Sequence, residues 1–468
     1  MKLPNHLWLA AASSLLFSCH LERLTDTSPC ANAPKAAFEV SQSACDLPCP
    51  ITITNITESA DSYEWNLGNG VFSTARDPGP IEYTTPGQKF IKLTIQSGEC
   101  VDSVTKIVTV GSSSRFKGPL NLGLSSVIPY GAVERADGKF QCLYSSSSTI
   151  QSAMVDILGQ PEGTPLNLGS NLMIIEQVTA SNGGFLLSGS NPNSTAAKVA
   201  MLDANQQLVP NFVKEFQFGS STNSLSKGVI LNNAGELTTT GYRTQATPRH
   251  PGIARVNASG SITTSLINGP ASGNVDSFGG VSVAQRSDGD YFITANFLNP
   301  VGGDIAILIW SKPDGLYQAL VDLPPLNFAN KIVRINDNSY VVIGRNNAAT
   351  PTWYALGLSI SGFSISISWI RDLSATAAMT DVRDVTISTD NEVVICGSAS
   401  SNLIVAKFPP DNGTNYTWQR PFTESGSTLS GRFITKTADG GYLISGQSSA
   451  ASGTAFYLIK TDSEGRTQ

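Results

Sequence analysis

The stretch DGGYLISG, residues 439–446, is the last of a series of related octets. The others read DGKFQCLY (137–144), NGGFLLSG (182–189), AGELTTTG (234–241), DGDYFITA (288–295), DNSYVVIG (337–344) and DNEVVICG (390–397). Successive copies end 45, 52, 54, 49, 53 and 49 residues apart. Each opens with a dipeptide suited to a tight hairpin turn and continues with β-forming residues. Four places before the end stand Phe140, Phe185, Leu237, Tyr291, Tyr340, Val393 and Tyr442. A period near 50 with this content predicts a β-propeller with four-stranded blades.

The rest of the period fits that reading. An apolar strand follows each octet, at 153–158, 198–202, 252–256, 305–310, 353–358, 403–408 and 456–460. A turn comes next, then a more polar outer strand such as 417–422. Buried inner strands need apolar residues on both faces, whereas outer strands alternate. The last copy reaches only its turn, and PLNLG at 119–123 recurs at 165–169, where the first blade's outer strand belongs. Residues 115–123 are therefore expected to supply the outer strand of the last blade, closing the ring and hiding its edges. Seven blades are predicted over 112–468. The octets, with the LIKTDSEG segment at 458–465, resemble the repeats of secreted bacterial propellers, broadly kelch- or WD40-like in shape. That resemblance implies a fold and leaves function open.

Upstream, residues 35–111 carry short alternating segments, 51–54, 90–95 and 104–110, separated by turns. Trp65 sits on a further alternating segment as a core anchor. YEWNLGNG (63–70) and YTTPG (83–87) resemble the PKD domain, an immunoglobulin-like module of surface proteins. The resemblance implies a small β-sandwich acting as a spacer or protein-contact unit. Asn66 and Asn69 replace the family's aspartates, which argues against calcium there. A bridge from Cys45 or Cys49 to Cys100 would staple early strands to late ones in such a module. The fold class expected for the whole chain is all-β, a small PKD-like sandwich followed by the propeller.

Residues 1–18 read as a targeting segment. Lys2 precedes an apolar run of eleven residues, 7–17, too short for the roughly 20 of a membrane-spanning helix. LFSC at 16–19 resembles the lipobox of bacterial lipoproteins, which implies cleavage before Cys19 and its acylation. An ordinary secretory signal that contains Cys19 is the alternative. Residues 19–34 read as a tether. The expected location is the bacterial cell envelope, at the outer membrane, with the lipid as membrane contact.

Charged residues make up 14% of the chain and the net charge is −6, without a Lys/Arg run, so nucleic acid is not an expected partner. Export permits disulfides, and Cys30, Cys45, Cys49 and Cys100 are the candidates, with three connectivities open. Cys142 and Cys396 lie in apolar strands and read as buried thiols. No metal site or cofactor is read from the sequence. His250 stands in a Pro-flanked loop without a nucleophile motif. The segments at 410–414 and 461–465 resemble the Asp-box turn of sialidases but lack its serine; an aspartate bonding its own turn accounts for both. The recurring Asp137, Asn182, Asp288, Asp337, Asp390 and Asp439 are read the same way. Trp310, Trp353, Trp369 and Trp418 are candidates for stacking on sugars, though packing between blades is the simpler role. No catalytic residue is assigned. The reading is a non-enzymatic envelope module that binds an envelope protein or surface polysaccharide through propeller loops, with a polysaccharide-binding or polysaccharide-degrading protein as the alternative.

Overall fold

The computed structural model describes residues 30, 33–46, 49–85, 87–111, 115–170, 172–219, 223–243, 251–267, 278–297 and 303–467. The targeting segment, Cys19 and His250 lie outside them. The described chain is nearly all strand and divides into two compact units.

The first unit falls within Met1–Ser41, Thr52–Pro80 and Phe90–Lys106. Phe38–Val40 pairs antiparallel with Ile53–Asn55. Ser62–Asn66 pairs with Phe72–Ser73 on one side and with 92–96 on the other. Alternation along Ser62–Asn66 buries Trp65 completely. Its ring meets Phe38 edge-on at 5.2 Å, and its indole N–H donates to the Ala75 carbonyl at 3.0 Å. Asn66 and Asn69 each accept a backbone N–H two residues on, from Gly68 and Val71. Both asparagines are thus occupied in making the turn. Cys30 is bonded to Cys100, not Cys45 or Cys49 as the module resemblance implied. A contact between distant segments accompanies the bond: Ala36 N–H donates to Asp102 at 2.8 Å, laying the incoming segment beside the strand that begins at Cys100.

The second unit comprises Gln42–Ile51, Ile81–Lys89 and Ile107–Gln468. In its first part Cys49–Ile51 pairs with Ile81–Tyr83, and Ala44–Asp46 runs parallel to 109–111. Cys45 and Cys49, on two of these strands, have Cα atoms 5.6 Å apart and are bonded to each other.

From Phe116 onward the described residues form seven four-stranded antiparallel sheets. In the first six, strands follow one another in chain order, as Ile128–Glu134, Phe140–Ser146, Thr149–Val155 and Pro161–Ser170 do in the first. The seventh combines Thr428–Lys436, Tyr442–Ala450 and Gly453–Thr461 with Phe116–Pro119, which pairs residue for residue with 457–460. Inner strands of successive sheets touch, and the seventh touches the first, so the sheets form a closed ring. Second strands, which hold the octets, are buried on both faces; Val393–Ala399 is buried throughout. Outer strands such as Ser364–Asp372 alternate.

The octet aromatics sit between sheets. Tyr340 packs on Phe292 of the preceding sheet at 4.8 Å, and Tyr442 on Trp418 at 5.8 Å. Phe140 of the first sheet meets Phe116 at 5.5 Å, so Phe116 does for the seventh sheet what Trp418 does for the sixth. The closing glycine of an octet has a separate cause. A Cβ at Gly189, Gly344 or Gly397 would run into an inner-strand carbonyl oxygen, of Ile174, Phe328 or Asp381. Those carbonyls lie where the inner strand leaves regular register, and that irregularity builds the site.

Candidate functional site

Every inner strand breaks register with its second strand at the same place. The breaks fall between Pro129 and Gly131, Ile175 and Gln177, Ser226 and Val229, Gly280 and Ser282, Ala329 and Lys331, Val382 and Asp384, and Gly431 and Phe433. A bulge leaves a residue out of the ladder and re-aims its side chain. The side chains set free are those of Tyr130, Glu176, Lys227 (beside the also skipped Gly228), Val281, Asn330, Arg383 and Arg432. All seven line one cavity of about 400 Å³ on the ring axis.

Charge is unevenly spread around this mouth. Glu176 and Lys227, on adjacent strands, form an ion pair. Lys331 and Asp384 form another, and the Asp384 carboxylate is buried. Asp384 also accepts the N–H of Ile434 at 3.0 Å and of Val385 at 2.9 Å, so both of its oxygens are engaged. Arg383 is exposed and pairs with Asp381 beside it. Arg432, on the next strand, donates to Gln447 at 3.1 Å. Burial lowers the Arg432 pKa, and the nearby Arg383 charge pushes it the same way. Ile128, also in the lining, stands 50% exposed. The Tyr130 hydroxyl lies 3.1 Å from Ser145 Oγ.

A second cavity of about 400 Å³ shares Gln177, Lys331 and Phe433 with the first. Its wall is a band of aliphatic side chains, among them Val229, Val283, Val333 and Val385, ending near Gln285 and Arg334. The channel is therefore polar at one end and apolar further in.

The residues singled out in the sequence lie elsewhere. Trp310, Trp353, Trp369 and Trp418 are all buried. The indoles of Trp310, Trp353 and Trp418 donate to Asp290, to the Thr380 carbonyl and to the Ser463 carbonyl. They pack between strands and do not line the channel. Asp137, Asp288 and Asp439 bond backbone N–H groups of their own turns. Asp337 reaches instead to Ser287 of the preceding sheet, and Asp390 pairs with Lys407. Asp411 and Asp462 cap their own turns. Cys142 and Cys396 are buried thiols whose pKa burial pushes up. Among the described residues no group of three or more His, Cys, Asp or Glu could hold a metal ion.

The bulged residues escaped the sequence reading, yet a signal was there. In six copies the bulged residue stands fourteen places before the end of the octet, and in the second copy thirteen.

No known family pattern matches this chain, and no curated protein matches it. Among solved structures, the PKD1 domain of Vibrio anguillarum Epp is similar at 28% identity over 17% of this chain and 93% of its own, with a TM-score of 0.15. Polysaccharide lyase Uly1 is similar at 10% identity over 73% of this chain and 90% of its own, with a TM-score of 0.45. The Dos1 propeller is similar at 10% identity over 74% of this chain and 96% of its own, with a TM-score of 0.44. None of these likenesses carries a ligand or a reaction over to this chain.

Proposed function

We propose that this is a lipid-anchored protein of the bacterial cell envelope, tethered through Cys19. Its ring is a seven-bladed β-propeller that acts as a non-enzymatic binding module, and the first strands belong to a PKD-like spacer. The ligand, an envelope protein or a surface polysaccharide, is engaged at the polar channel mouth. One observation carries this reading: seven side chains from seven strands are aimed into one cavity by the same backbone device. Such convergence presents fixed polar groups to a ligand. The carboxylates there, Glu176 and Asp384, and Asp381 beside them, are each held by a cation, an arrangement suited to recognition more than to proton transfer.

The test is retention of envelope components on immobilised protein, compared with an Arg383→Ala/Arg432→Ala variant. Selective loss by the folded variant supports the reading, and equal retention overturns it. The anchor is tested separately by Cys19→Ser, which should move the protein out of the membrane fraction.

A second reading, a polysaccharide-degrading protein, has one observation in its favour. A phenol and two guanidiniums, Tyr130, Arg383 and Arg432, line the same cavity. A base beside groups that neutralise an acid is what abstraction of a proton next to a carboxylate requires. Appearance of unsaturated sugar ends during incubation with acidic polysaccharides would replace the first reading with this one.

A further inference from the structure

We infer that the channel mouth binds the carboxylate of an acidic sugar at the end of a polysaccharide chain. The inference rests on the reading of the mouth as a binding site and specifies what enters it. The charges on three successive inner strands do not cancel. Lys331, Arg383 and Arg432 stand against two carboxylates, Asp384 in the lining and Asp381 beside it, and Asp384 already accepts from Lys331 and two backbone N–H groups. Arg383 is paired with Asp381, so the excess positive charge sits at Arg432, which donates to the neutral Gln447 and lies close enough to Arg383 to feel its charge.

These guanidiniums come from adjacent strands at the same register, each on a bulge. The Arg432 pKa is lowered by burial first and by the nearby Arg383 charge second. A single carboxylate between them would relieve that repulsion. The planar guanidinium fork matches a carboxylate with two parallel hydrogen bonds, a geometry an ammonium cannot offer.

The remainder of the mouth favours a sugar as the carrier of that carboxylate. The Asn330 and Gln177 amides and the Tyr130 hydroxyl supply donors and acceptors at the wall, while Ile128, which is exposed, and Ile175 provide aliphatic surface. A pyranose has the matching character, hydroxyl groups around its rim and C–H groups on its faces. A volume of about 400 Å³ lies within the range of small-molecule sites, roughly 300–1,000 Å³. Deeper entry is less favourable, because there the wall is dominated by aliphatic side chains such as Val229, Val283 and Val385, which offer sugar hydroxyls no partners. The chain therefore enters by its end.

The experiment is calorimetric titration of the full chain in detergent. The probes are short oligomers of galacturonate, glucuronate and mannuronate, neutral oligomers of equal length, a sulfated oligomer and triglutamate. At least one oligouronate should bind, more weakly as salt rises, with neutral oligomers binding far less. Arg383→Gln and Arg432→Gln should each weaken binding by about tenfold or more, the loss expected when a charged hydrogen-bond partner is removed. Arg383 is exposed, so its variant tests the idea even if the Arg432 variant is unstable.

Binding of neutral oligomers as tightly as acidic ones overturns the inference, as does indifference to both substitutions. Equal binding of triglutamate overturns the sugar assignment, and preference for the sulfated oligomer overturns the carboxylate. If no oligouronate binds while the double-arginine variant loses an envelope component, the acidic-sugar inference fails and the binding-module reading stands.

Discussion

The buried carboxylate of Asp384 accepts the backbone N–H of Ile434, on the next inner strand, at 3.0 Å. The same group pairs with Lys331 on the preceding strand. One side chain thus joins three inner strands at the level where the bulges open the mouth. Ser282 makes a comparable link two sheets earlier, its Oγ accepting from the Ile332 N–H at 3.3 Å. Both occupy the position just after the bulge. An inner strand has one unpaired edge, and these side chains satisfy part of it.

Asp384 should therefore matter to stability more than an ordinary ion-paired residue. Asp384→Ala leaves Lys331 and the Ile434 N–H without their partner, a change that costs about 3–5 kcal/mol when such groups are buried. Lys331 retains some access to water in the channel, which places the expected loss near the lower figure. Urea unfolding of the variant measures it. A loss under about 1 kcal/mol, typical of a surface pair, would show that the three-strand link carries little.

Closure of the ring can be tested from its N-terminal strand. Phe116 packs on Phe140 and under the turn at Gly159, where any Cβ would strike its ring. Trp418 stands in the same relation to Tyr442 and Gly465. Phe116→Ala should cost about 2 kcal/mol, less than for a fully buried phenylalanine because one side of the ring is open. A chain begun at Leu124 should expose the edge of Gly453–Thr461 and self-associate. A peptide spanning 115–123 should restore the monomer by adding the missing strand. Failure of the peptide to bind would argue against this strand as the closing element.

The strand content and the period were legible because they rest on composition and spacing within one segment. The octet aromatics and glycines repeat because each strand meets the same neighbours. The site was not legible in that way. A bulge is a relation between two strands, and what marks Arg383 or Arg432 is the residue its partner strand skips. The Cys30–Cys100 bond is also relational, since the Ala36–Asp102 hydrogen bond that brings the segments together leaves no local pattern. Tryptophans drew attention for their chemistry, but burial, which sequence indicates only loosely, decides their role.

The Cys30–Cys100 bond closes a loop of 70 residues around the first unit's strands. Constraining a loop of that length in the unfolded chain stabilises the folded one by about 4 kcal/mol. In a Cys30→Ser/Cys100→Ser chain, amides of Ser62–Asn66 should exchange with solvent about a thousandfold faster, at tenfold for each ~1.4 kcal/mol. Hydrogen-exchange mass spectrometry of that segment reads the effect. Unchanged exchange would mean that local packing around Trp65, without the bond, sets the unit's stability.

Alkaline pH should weaken the ring through its buried tyrosines. Burial, reinforced by nearby Cys142, pushes the Tyr144 pKa up to about 12 from an ordinary 10.0. Burial likewise raises Tyr340 and Tyr442. The unfolded chain releases these phenolic protons first, so above pH 10 it binds fewer protons than the folded chain, and stability falls as pH rises. Below pH 10 both states keep the protons and these groups contribute no pH dependence. Tyr144 alone should add a slope of up to about 1.4 kcal/mol per pH unit between its two values. Urea midpoints measured from pH 8 to 11.5 should decline beyond pH 10, and Tyr144→Phe should flatten that decline. An equally steep decline in the variant would assign the alkaline loss to other groups.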